Sequence, residues 1–155
     1  MAVTGIHSTF KRSRGVFQEL ELGVPGSTIS VNAGATILTT TKTVLASESG
    51  KTFILNSATA FVTTLPAVAT GLEYTFIAGA TQVTGGNHTI VPTDDDTIYG
   101  EYLVAGLTVP ASAEGSINWV ADTILPGDRV NVVCDGTNWY VSGAAAASGA
   151  ITFTT

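Results

Sequence analysis

Residues 45–66, "LASESGKTFILNSATAFVTTLP", decide between two unlike folds. Gly50-Lys51-Thr52 is the end of a phosphate-binding loop, which needs a Gly five positions before that second Gly and a helix after it. Position 45 is Leu45, not Gly. The residues after Thr52 alternate and are rich in Thr, Phe and Val, so they continue as strands. Without a helix there is no N-terminal dipole and no array of free N–H groups to hold a phosphate. Nucleotide binding is therefore excluded, and Ser47-Glu48-Ser49-Gly50 is expected to form a hairpin turn between two strands.

Composition extends the same reading to the whole chain. Thr, Val and Ile make up about a third of the 155 residues, whereas Glu, Gln, Lys, Arg and Met supply fifteen in total. β-Branched side chains lose χ1 freedom in a helix and pack well on a pleated face. Strand-like runs occupy about 36–46, 51–57, 60–65, 72–79, 88–92, 101–108, 116–121, 129–134, 138–143 and 150–154, with turn residues between them. The clearest hairpin is "RVNVVCDGTNWYVSG", residues 129–143. There Val130, Val132 and Cys134 alternate against Asn131 and Val133, and Asp135-Gly136 supplies a turn. Pro66, Pro92, Pro110 and Pro126 are expected at run ends, where a missing N–H harms no ladder. Ala144–Ala147 reads as a spacer before a last strand. The expected fold is all-β, an antiparallel β-sandwich or jelly-roll-like domain over residues 33–155.

Residues 1–32 differ from the rest. Val3, Ile6 and Phe10 are isolated apolar residues without a sustained period, and "VPGSTISVNAG" is turn-rich, so an extended N-terminal arm and linker is expected. Lys11, Arg12 and Arg14 hold three of the six basic residues, which leaves 3 − 12 = −9 for residues 15–155. Only 12% of residues are charged, against roughly 25% in ordinary soluble domains. A surface built from Thr, Ser, Gly and Ala suits a chain whose faces are occupied by copies of itself or by a larger assembly. No apolar run approaches the ~18 residues that span a bilayer, and no segment reads as a cleavable signal, so no membrane partner is expected.

Candidate chemistry is sparse. The single Cys134 permits no intrachain disulfide and no cysteine zinc cluster. His7 and His88 are too few for a histidine metal site, and nothing resembles the Gly-x-Ser-x-Gly elbow that would support a Ser-His-Asp triad. Asp94, Asp95 and Asp96 cluster their carboxylates, but Ile98 stands where an EF-hand ligand would fall, so they read as a solvated acidic loop. Asp94, Asp96 and Glu101 are the carboxylates to weigh for polysaccharide cleavage, a pattern too common to carry an enzyme assignment. Trp119, Trp139, Tyr140, Tyr99 and Tyr102 are the aromatic residues to weigh for sugar stacking, although strand alternation sends at least half of them inward. The sequon at Asn87–Thr89 matters only in a glycosylating pathway, which nothing here indicates. No catalytic, metal or cofactor site is expected. Three basic residues without interleaved aromatics, on a chain with an acidic body, favour an acidic protein surface over nucleic acid.

The stretch "SGKTFILNSATAFVTTLPAVATGLEYTFIAG", with the later "PGDRVNVVCDGTNWYVSG", resembles β-rich virion proteins of tailed bacteriophages, both capsid decoration (cement) proteins and tail-fibre modules. The resemblance covers roughly residues 44–143. It implies a β-sandwich subunit, usually trimeric, without catalytic residues. The chain departs from a fibre in having no long repetitive shaft. The leading expectation is a decoration protein on the capsid exterior, bound to the major capsid protein and self-associated as a homotrimer, which stabilises the shell by multivalent cross-linking. The alternative is a receptor- or carbohydrate-binding module of a tail or head fibre, using Trp119 or Tyr102. Val3, Ile6, Phe10, Lys11, Arg12, Arg14 and Phe17 are the expected capsid contacts. Burying about five apolar arm residues contributes roughly 1.5–3 kcal/mol each. Ordering the arm costs about 1–2 kcal/mol per residue, so one arm binds weakly and several on one oligomer bind well.

Overall fold

The computed structural model describes residues 34–93, 97–104 and 106–155. The expected arm, with Val3, Ile6, Phe10, Lys11, Arg12, Arg14 and Phe17, lies outside the described residues, as do Asp94–Asp96 and the boundary expected at residues 32–33.

Alternation drives the architecture. In β5 (Glu73–Ala78), Tyr74, Phe76 and Ala78 are buried, while Glu73, Thr75 and Ile77 face the other way. In β3 (Thr52–Leu55) Phe53 and Leu55 are buried, and in β10 (Arg129–Cys134) Val130, Val132 and Cys134 are. One apolar face per strand must meet another, and two packed sheets are the solution. The fold is the expected all-β sandwich. One sheet has seven strands in the order β1-β3-β5-β10-β11-β7-β8, and the other has five in the order β12-β9-β6-β4-β2. The remaining strands are β1 (Ala35–Leu38), β2 (Lys42–Thr43), β4 (Val62–Thr64), β6 (His88–Val91), β7 (Ile98–Val104), β8 (Leu107–Glu114), β9 (Ser116–Trp119), β11 (Trp139–Ala145) and β12 (Ile151–Thr154).

The pairing is mixed rather than wholly antiparallel: among the described residues five of the ten strand pairs are parallel. The first six strands alternate between the sheets. β1, β3 and β5 stack in parallel in one, and β2, β4 and β6 stack in parallel in the other. They form three turns of a flattened coil. Phe53 sits in register with Phe76, their rings stacked at 5.5 Å, so the second turn packs an aromatic residue on one of the third. The 129–143 hairpin forms as expected, with Cys134 opposite Trp139 and Gly136 at φ +102° in the connection.

Several boundaries move. The run 36–46 divides into β1, β2 and a 3₁₀ turn at Ala46–Glu48, because the chain leaves one sheet for the other. Ser47–Gly50 is thus a link between sheets, not a hairpin turn. The run 101–108 also divides: Val104 lies opposite Leu107 across a tight turn in which Gly106 has φ +82°. Pro110 lies inside β8 rather than at a run end, which is tolerated because β8 is an edge strand. Ala144 and Ala145 belong to β11 rather than to a spacer.

Candidate functional site

The Gly-Lys-Thr segment has a structural job. Glu48 Oε1 accepts from Lys51 Nζ at 3.2 Å, its Oε2 lies 2.9 Å from Lys42 Nζ, and Oε2 also accepts from the Leu45 backbone N–H at 3.0 Å. Partial burial works to raise the Glu48 carboxyl, but the Leu45 N–H and the two ammonium groups together hold it below the ordinary range. The Lys that would reach a phosphate is committed to closing the turn, and Thr52 begins β3 rather than a helix. Tyr74 closes the same corner from beneath. Its hydroxyl donates to the Leu45 carbonyl at 3.1 Å, and burial, with Glu48 and Cys134 nearby, pushes the phenol up to about 12.

The aromatic residues separate sharply. Trp119 and Trp139 are fully buried, and Tyr102 is 1% exposed, its hydroxyl donating to the Ile151 carbonyl. Trp119 and Tyr102, the residues expected to carry a fibre's sugar site, are therefore core, and that assignment is withdrawn. Tyr140 is 44% exposed and lies 6.3 Å from Tyr99 on the outer face of the seven-stranded sheet. Asp135 anchors it: the carboxylate accepts from the backbone N–H groups of Thr137 and Asn138 at 2.8 Å each and from the Tyr140 hydroxyl at 3.0 Å. Those bonds hold the Asp135 carboxyl below its ordinary range, and the Asp135 carboxylate raises the Tyr140 phenol. The signal that distinguishes Tyr140 from Trp139 was in the sequence, since neighbours on a strand face opposite ways. Which way each faces was not.

His88 is 3% exposed on β6. Its Nε2 lies 3.1 Å from the Ser57 carbonyl, so Nε2 carries the proton, and its ring lies 4.1 Å from Phe61. Burial lowers its pKa, the Ser57 contact opposing the shift. A recess bounded by His88, Trp119 and Gln82 has an interior of ≈ 10 Å³, room for about one water molecule. Among the described residues no serine or aspartate side chain reaches His88. Asn87 Oδ1 accepts from the Ala121 N–H at 3.0 Å, and Glu101 is exposed on β7.

What remains for function is the two outer sheet faces. On the five-stranded sheet, Val62, Thr89, Asn118 and Thr152 form one cross-strand row. Thr43 pairs with Thr64 and Ser116 with Thr154 in the next. These positions carry no charge. Thr89 Oγ1 donates to Asn118 Oδ1 at 3.2 Å, and Asn118 Nδ2 donates to Thr154 Oγ1 at 3.1 Å, which ties three strands together by side chains. On the seven-stranded sheet, the register sets Ile37, Ile54, Ile77, Arg129, Ala144 and Leu103 side by side. Sequence reasoning missed both rows, because their members come from strands scattered over the chain. Comparison with protein-family models, curated proteins and solved structures finds no match to this chain.

Proposed function

We propose that the chain is a structural, non-catalytic virion protein of a tailed bacteriophage, a decoration protein on the capsid exterior. In this reading it joins the major capsid protein to copies of itself, as a homotrimer, and stabilises the shell by multivalent cross-linking. The residues of the resemblance support it, and so does the basic Lys11–Arg14 segment on a chain that is otherwise acidic. The observation that carries it is a two-sheet body whose outer faces carry central rows of hydroxyl and aliphatic side chains, with Arg129 as the one ion in those rows, surfaces suited to protein contact.

The test is cosedimentation with undecorated mature capsids, comparing the full chain with a version lacking residues 1–17. Saturable binding by the full chain, and at least about tenfold weaker binding by the truncated one, is expected. Equal binding by both removes the arm from the contact. Binding by neither ends the decoration reading. A glycan-binding fibre module is the second reading, and the pair of half-buried Tyr99 and exposed Tyr140 favours it. Glycan binding that disappears in Tyr140→Ala, with the fold intact, would establish it instead.

A further inference from the structure

The row Ile37–Ile54–Ile77–Arg129–Ala144–Leu103 runs across six adjacent strands of the outer face. Ile37 is 61% and Leu103 53% exposed, and Ile54 and Ile77 are half-buried. Its first three members lie on β1, β3 and β5, which pair in parallel. Parallel strands are ordinarily covered on both faces, and among the described residues nothing covers this one. Arg129 makes no ion pair among the described residues, whereas Lys42 and Lys51 are both committed to Glu48. Exposed carboxylates share the face at other positions: Glu101 on β7, two residues before Leu103, and Glu73 on β5, four residues before Ile77.

We infer that the outer face of the seven-stranded sheet is where copies of this chain meet, with Arg129 of one copy against Glu101 or Glu73 of the next. An acidic partner would be repelled by the two glutamates, and a basic partner by Arg129. A second copy, set off by a few strands, satisfies both signs. Arg129 lies in the fourth of the seven strands, so a twofold axis through the middle strand of the sheet at that residue would oppose two guanidinium groups. Heterologous packing around a threefold axis avoids that and brings three such faces together. Six inter-strand gaps of about 4.8 Å and a strand height of about 18 Å make a face on the order of 500 Å² per copy. At full overlap a pair would bury roughly 1,000 Å², the threshold for a specific interface, and an offset copy buries less, so association depends on concentration. The inference rests on the self-association in the reading above and not on capsid docking.

The test is the mass of the full chain in solution, by sedimentation equilibrium across the micromolar range, with thermal unfolding as a check on folding. Leu103→Lys and Arg129→Glu should each weaken association about tenfold or more. Val62→Lys on the other sheet should leave it unchanged. Glu101→Arg or Glu73→Arg, added to Arg129→Glu, should restore it. A chain that is monomeric throughout overturns the inference. So does an oligomer indifferent to Leu103→Lys and Arg129→Glu, or a loss that neither charge reversal restores. If Leu103→Lys abolishes capsid binding with the mass unchanged, the face belongs to the capsid and the inference fails. A chain that self-associates through this face yet ignores capsids sinks the decoration reading alone.

Discussion

Asp128 is 5% exposed and carries two structural bonds. Its Oδ2 accepts from the Leu125 N–H at 2.9 Å and its Oδ1 from the Ala146 N–H at 2.8 Å, which pins the turn before β10 to the chain leaving β11. The Asp128 backbone joins in, its carbonyl accepting from the Ala78 N–H at 2.8 Å. Asp128→Ala strands both donors and should cost about 1–3 kcal/mol, read as a lower urea midpoint with an unchanged slope. Asp128→Asn keeps one acceptor and should cost less. "PGD" at 126–128 reads as a turn from sequence, but its second bond, to a residue 18 positions away, does not. Individual side chains were legible only where their chemistry is local. The missing Gly at Leu45 excluded a phosphate loop without coordinates. The burial of Trp119 and Tyr102 and the exposure of Tyr140 needed the fold.

At the scale of elements, β7 pairs with β11 in parallel and in unbroken register, while its pairing with β8 shifts between Ile98 and Gly100. Gly100 has φ +126°, and a Cβ there would lie 2.1 Å from the Val141 carbonyl oxygen. Only a residue without Cβ lets the two backbones approach so closely. Gly100→Ala should therefore destabilise by about 2–4 kcal/mol in equilibrium unfolding. Gly34→Ala, where a Cβ meets nothing within 4 Å, should change stability by less than about 0.5 kcal/mol. Strand existence was well legible in sequence, as the 129–143 hairpin illustrates, because period-2 alternation and turn residues are local. Division of a run was not. β7 and β8 look continuous in "EYLVAGLTV" because both are apolar and the turn between them is two residues long.

For the molecule as a whole, acid sensitivity follows from groups in different corners that respond in the same direction. His88 has a folded pKa below its ordinary 6.5, so in that window the unfolded chain binds more protons than the folded one. Its contribution is complete above about pH 6.5 and is lost as pH falls through the folded value. Glu48 and Asp135, also depressed, add losses below their ordinary values of 4.5 and 3.8. Tm should be flat from about pH 7 to 8 and fall in two stages on acidification. His88→Gln should remove much of the upper stage and leave the lower one.

The sequence by itself determined that this chain is a two-faced β-protein, which side chains share a face within each strand, where its most local hairpin closes, and that Gly-Lys-Thr ends no phosphate loop. Those properties follow from backbone period, turn chemistry and spacing, which act over a few residues. Only the tertiary structure decided that the first six strands alternate between sheets, that half of the strand pairs among the described residues are parallel, and that six strands set four aliphatic side chains and an alanine beside one arginine. Such choices are settled by burying many distant apolar faces at once. No short stretch of chain records the partner against which it will lie.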